Sequence, residues 1–175
     1  MNNFELALAH VLKAEGGYVS HALDRGRETS MGITRATLEH FRGTVVTPED
    51  VKALTRDEAK EIYLKLYWIP NGLDRIKHPV IAIALFDQIV NRRATEVVRG
   101  VQAMVSNELA VDLEADGILG PVTADALNRI RPERLLIGIA IEAQQSYLAI
   151  VERAPAQAVF LKGWLARTWR LLSMV

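Results

Sequence analysis

Residues 79–91 read PVIAIALFDQIVN. Pro79 suits the first turn of a helix, and the run behind it is apolar on nearly every face, as in a helix through the middle of a core. Such a helix needs others around it, and the flanking sequence supplies them. Phe4, Leu8, Val11 and Leu12 form one stripe at helical spacing, closed by Gly16 and Gly17. Thr34 caps a short helix ending at Gly43. Thr47-Pro48-Glu49-Asp50 and Thr55-Arg56-Asp57-Glu58 mark two further starts, and Trp68-Ile69-Pro70-Asn71-Gly72 a break. Beyond the central helix the pattern predicts helices over Thr95 to Asn107, after a cap at Thr123, from Pro132 to Glu152, and past Pro155. From Tyr18 to Thr34 the helical period fails, and Asp24, Gly26 and Gly32 punctuate what reads as a small β-hairpin. The fold expected is mainly α, with about seven or eight helices, a buried central helix and one β excursion.

Composition narrows the function. The 175 residues include no cysteine, are 50% hydrophobic and 24% charged, and balance 21 basic against 21 acidic side chains. This excludes a disulfide scaffold, a collagen and a disordered chain. Divided after residue 95, neither half departs from neutrality by more than one charge, so no field draws the molecule to nucleic acid. No uninterrupted apolar run reaches the roughly 18 residues of a membrane span, and Pro79–Phe86 stops at Asp87. The first residues, MNNFELALAHVLKAEGG, lack the basic lead of a signal peptide. The expectation is synthesis in the cytoplasm without a signal peptide, no stable membrane insertion and a monomer. His10, His21, His40 and His78 show no metal-ligand spacing, so neither metal nor cofactor is expected.

The chemistry concentrates in Glu15-Gly16-Gly17-Tyr18 and in Asp24-Arg25-Gly26-Arg27-Glu28-Thr29-Ser30-Met31-Gly32-Ile33. Two carboxylates nine residues apart fall at a helix end and in the hairpin beside it. Inverting cleavage of a glycosidic bond needs a protonated acid and a water-holding carboxylate about 6.5–9.5 Å apart, which a helix end facing a hairpin can span. The helix C-terminus disfavours an ionised Glu15, making it the acid. Asp24, beside Arg25 and Arg27, stays ionised and can hold water with the Thr29 hydroxyl. Gly32 lets a polysaccharide approach the backbone. The structural alternative is that Gly16-Gly17 only ends a helix and Asp24 only starts a turn.

EGGY followed by D, G, E-T and G-I resembles the N-terminal signature of glycoside hydrolase family 108, the phage-type N-acetylmuramidases. Tyr67-Trp68 with Pro70 and Phe86-Asp87-Gln88-Ile89-Val90-Asn91 resemble two further family segments. Asp116-Gly117-Ile118-Leu119-Gly120-Pro121-Val122-Thr123 resembles the D-G-x-x-G-P-x-T of its peptidoglycan-binding region, and Phe160-x-x-Gly163-Trp164-x-x-Arg167 its ending. The resemblance implies a lysozyme-like helical fold, with residues 1–95 as a muramidase catalytic lobe. Residues 96–175 would be a helical peptidoglycan-binding-like lobe packed with it as one unit. It further implies an endolysin that cleaves the β-1,4 bond between N-acetylmuramic acid and N-acetylglucosamine, with Glu15 as the catalytic glutamate and Asp24 and Thr29 assisting water attack. Such an enzyme acts on the wall in the periplasm after release from the cytoplasm. Two positions depart from the family pattern: Arg27 stands at a second glycine, and Arg93 at the glycine of N-x-G.

Tyr18, Gly32, Asp87 and Asn91 are the candidate substrate contacts, with Asp87 open to a second reading as the buried partner of an arginine. Tyr63, Tyr67 and Trp68 can stack on sugars or fill the core. The loop at 116–123 reads as a wall contact or as a turn and helix cap. Two rivals accompany the hydrolase: a lytic transglycosylase, which needs no water-holding Asp24, and a non-catalytic wall-binding or structural protein.

Overall fold

The central helix is present with the bounds the sequence predicts. In a computed structural model describing residues 2–14, 19–20 and 28–174, Pro79–Asn91 is helical and buries Ile81, Ala82, Ala84, Leu85, Phe86, Asp87, Gln88 and Ile89. Numbered in chain order among the described residues, the helices are α1 (Asn3–Ala14), α2 (Arg35–Arg42), α3 (Pro48–Lys52), α4 (Arg56–Ile62), α5 (Pro79–Asn91), α6 (Ala94–Leu109), α7 (Pro121–Arg129), α8 (Pro132–Arg153) and α9 (Ala158–Leu172). Helix α1 lies along α5, α8 joins α5 from another side, and α9 lies along α8. Phe4 of α1 meets Phe86 of α5 edge-on at 6.2 Å, and Trp68 packs against both.

Helix α4 runs directly into a π-helical segment, Tyr63–Trp68, where the Ile69 N–H donates to the Leu64 carbonyl. The i→i−5 pattern brings residues five apart nearly into line. Tyr63 and Trp68 therefore both enter the core, at 1% and 4% exposure, which decides for core over sugar stacking. Ahead of it, Thr55 caps α4, and Thr47 with Asp50 forms a reciprocal capping box on α3. Arg42 donates from Nε and Nη2 to Glu58 at 2.7 and 2.8 Å, tying α2 to α4, and these hydrogen bonds hold the Glu58 carboxyl below its usual range. A depressed carboxylate adds stability above its unfolded pKa and loses it as pH falls through the folded one. Glu58→Gln is thus expected to cost about 1 kcal/mol at pH 7. In thermal melts its Tm should approach wild type once the pH is well below the ordinary glutamate value of about 4.3.

The β excursion has three strands, β1 (Val19–Ser20), β2 (Glu28–Ser30) and β3 (Ile33–Thr34), antiparallel in that order. Val19 pairs with Thr29, and Thr29 with Thr34. Met31 and Gly32 make the two-residue turn between β2 and β3 with φ of 51° and 77°. Positive φ at both positions is what a tight hairpin needs, and only glycine takes it freely. The Tyr63 hydroxyl donates to the Met31 carbonyl at 2.9 Å, pinning the turn to the π segment. Gly32→Val is expected to destabilise by about 1–2 kcal/mol, and Met31→Gly to be neutral or stabilising. Urea midpoints would read both effects, and a harmless Gly32→Val would contradict the turn's dependence on φ.

Residues past 95 pack onto this body at several points. The Asn128 amide of α7 donates to the Arg75 carbonyl and accepts from the Lys77 N–H. A Cβ on Gly72, whose φ is +66°, would lie 2.3 Å from the Leu119 carbonyl oxygen. Arg92 at the end of α5 makes a two-pronged pair with Glu142 of α8 at 2.6 and 2.8 Å. Helix α7 starts at Pro121 with Gly120 as its N-cap, which corrects the expected cap at Thr123. Proline pre-sets the first helical φ, so the helix begins three residues earlier. Thr123 lies buried inside it, its hydroxyl donating to Ile118 O and accepting from Gln102 Nε2. Among the described residues α8, 22 residues long, is apolar enough to cross a membrane. Here Leu135, Leu136, Ile139, Ala140, Ala143 and Tyr147 are buried against the body, while Ile137, Ile141 and Leu148 are exposed.

Candidate active site

The candidate residues fall on or beside three elements in the chain: the C-terminal end of α1, the small sheet and the middle of α5. Glu15, Tyr18 and Asp24, with Arg27, lie outside the described residues. Glu15 follows Ala14, the last residue of α1, in the chain. Thr29 is half-buried at the centre of the sheet, with β1 on one side and β3 on the other. Its neighbour Glu28 faces Arg35 of α2 at 3.5 Å and buries Oε2 without a hydrogen bond among the described residues. Gly32 has a turn-forming role, independent of any ligand.

Asp87 is completely buried, in the arginine-paired arrangement that the sequence left open. Arg167 of α9 donates from Nη1 to Asp87 Oδ1 at 3.0 Å, and His10 Nε2 of α1 stands 3.9 Å from the same oxygen. Gln88 donates to Oδ2 at 3.2 Å, and its own carbonyl oxygen accepts from the Tyr147 hydroxyl and from Arg92. A polar chain thus runs from α9 through α5 to α8. Burial pushes the Asp87 carboxyl up from its ordinary value, opposed by Arg167 and then His10. Burial likewise pushes His10 down, against the pull of Asp87. Asn91 is exposed and returns its amide to the Asp87 carbonyl at 2.7 Å.

Sequence reading missed Arg167 as the partner of Asp87, although both stood in quoted motifs. They are 80 positions apart, and only the packing of α9 unites them. Gln102, 1% exposed, was also missed. Its amide donates to Asp116 Oδ1, Ile118 O and Thr123 Oγ1, and its oxygen accepts from the Gly117 N–H. The D-G-x-x-G-P loop is therefore wrapped around a buried glutamine. Among the described residues no group of histidine and acidic side chains could hold a metal.

Residues 8–92 match the family model described as glycosyl hydrolase 108, and residues 96–169 the one described as a predicted peptidoglycan domain. Among solved structures, SagA of Brucella abortus is similar at 30% identity with a TM-score of 0.81, over 98% of this chain and 92% of that one. A search of curated proteins finds no match. The matched regions lie end to end along one packed helical body with a small sheet and a buried central helix, so the chain belongs to the glycosyl hydrolase 108 family and is a glycoside hydrolase of the peptidoglycan-degrading class.

Proposed function

We propose that the protein is an N-acetylmuramidase cleaving the β-1,4 bond between N-acetylmuramic acid and N-acetylglucosamine, with Glu15 protonating the leaving oxygen and Asp24 and Thr29 orienting the attacking water. The observation that carries this reading is the sheet register. The strand that follows Glu15 by four residues pairs Val19 directly with Thr29, so the segment just after Glu15 lies beside the strand holding the hydroxyl. A general acid and a held water on opposite sides of the bond are what hydrolysis requires. Asp24 lies in the connection between these two strands. The resemblance to phage-type enzymes supports an endolysin that is made in the cytoplasm and reaches the wall after release.

Purified peptidoglycan digested by the protein, reduced with borohydride and read by mass spectrometry tests the reaction. Reduced muramic-acid ends are expected. Anhydro ends would replace hydrolysis by transglycosylation and remove Asp24's role. The absence of any soluble product would leave a wall-binding protein.

A further inference from the structure

The pair formed by Asp87 and Arg167 sits inside a larger concentration of positive charge. Lys13 follows His10 by three residues on α1, and Arg170 follows Arg167 by three on α9, so each stands one turn along from a member of the buried cluster. Both are exposed, and among the described residues neither has an ion-pair partner. Most other arginines of the body do, including Arg35, Arg42, Arg75, Arg92, Arg129 and Arg134. His10 and Arg167 approach the same Asp87 oxygen at 3.9 and 3.0 Å, which brings together the turns of α1 and α9 that lead to Lys13 and Arg170, and all three cations disfavour the charged form of His10. Asp87, the carboxylate that meets this cluster among the described residues, is wholly buried and engaged by Arg167, so it does not neutralise the outer pair. The C-terminal end of α1 offers only about half a negative charge.

We propose that Lys13 and Arg170 form a cationic seam that receives the free carboxylates of the peptide stems of peptidoglycan. This rests on the reading of the wall polymer as substrate and says which part of it is recognised. The glycan itself is uncharged along most of its length. Its stems hang from the muramic acid at the bond to be cleaved, and the seam lies at the end of α1 that leads into Glu15. Trp169, 64% exposed and next to Arg170 in the chain, adds an aromatic plate beside the charges. The other exposed apolar residues of α9, Val159 and Phe160, are two to three turns away, about 15 Å or more along the helix, which favours a glycopeptide over a lipid surface.

The test is co-sedimentation at 4 °C and low salt with insoluble sacculi, either native or with stem carboxylates converted to amides by carbodiimide and ammonium. The double variant Lys13→Gln/Arg170→Gln is expected to bind native sacculi about fivefold more weakly than wild type, the scale of two exposed charge contacts. On amidated sacculi the two proteins should bind alike, and Lys13→Arg/Arg170→Lys should restore native binding. Equal binding of wild type and double variant to native sacculi overturns the proposal, as does an equal loss on amidated sacculi. Loss of binding to phosphatidylglycerol vesicles with sacculus binding intact would assign the seam to lipid instead. Either single variant, at roughly half the effect, serves if the double variant melts early. Release of soluble fragments is measured separately. Carboxylate-dependent binding without hydrolysis refutes only the hydrolase reading, and hydrolysis without carboxylate dependence refutes only the seam.

Discussion

Glu15→Gln is expected to lower the release of soluble muropeptides from purified peptidoglycan by at least about 100-fold, the usual scale for losing a general acid. Glutamine keeps the size and hydrogen-bonding capacity of the side chain but has no proton to deliver to the leaving oxygen. The change is close to isosteric, so the variant's melting temperature and sacculus binding should stay close to wild type. Asp24→Asn and Thr29→Ala should also slow turnover more than they weaken binding. Thr29 is the informative member, because its place in the sheet is fixed by backbone pairing to Val19 and Thr34 and loss of the hydroxyl leaves the strand intact. A Glu15→Gln protein that is folded and hydrolyses at the wild-type rate would move catalysis elsewhere. Glu28, with one oxygen buried and without a hydrogen bond among the described residues, would be the next carboxylate to replace.

What the sequence made legible follows from what each pattern reports. A helix buried on all sides has no polar face, so PVIAIALFDQIVN announces both its conformation and its place at the centre. Caps at Thr34, Thr47 and Thr55 were legible because each threonine precedes its helix directly and bonds three residues on. Thr123 looked the same but serves Gln102 across the loop, a contact that only the packing of α6 on α7 creates. The π segment escaped notice because residues spaced by five match neither the helical nor the strand period. Three strands of two or three residues are too short to show alternation. The positive φ at Met31 carries no sequence signal, since methionine rarely adopts it.

The candidate site divides in the same way. Glu15, Asp24 and Thr29 stand in one short segment and are grouped by local spacing; of the three, Thr29 is among the described residues. Asp87 announced a need for a partner, because a carboxylate in an apolar helix is costly alone. Which partner was not legible: eight of the chain's positive side chains follow residue 98, and local sequence cannot say which of them reaches α5. The answer required α9 to lie along α8 and α8 to meet α5. The family segment around Phe86 and the one ending at Arg167 are thus two halves of one buried ion pair. This also bears on how the chain is organised. The region matching the predicted peptidoglycan domain supplies the counter-charge for the central helix of the hydrolase region, a structural debt that a detachable binding module would not carry.

Arg167→Met should therefore be among the most destabilising single changes in the protein, at about 3–5 kcal/mol near pH 7, because it leaves the Asp87 carboxylate buried without its guanidinium. The pH dependence separates this cause from lost packing. Burial already raises Asp87, and removing Arg167 raises it further. Where both proteins hold a protonated Asp87, no charge is stranded and the deficit should be small. It should grow as pH rises from the wild-type Asp87 pKa, already above the ordinary aspartate value, to the still higher one in the variant, then level off. A packing defect would show no such slope. The double variant Asp87→Asn/Arg167→Met removes the buried charge altogether and should recover most of the loss at pH 7 while changing little at low pH. Denaturation of the four proteins of this cycle across pH measures the coupling directly. A pH-independent deficit, with no recovery in the double variant, would mean that α9 is held by the contacts of its Trp164 with Tyr147 and of its Thr168 with Gln144, and not by the ion pair.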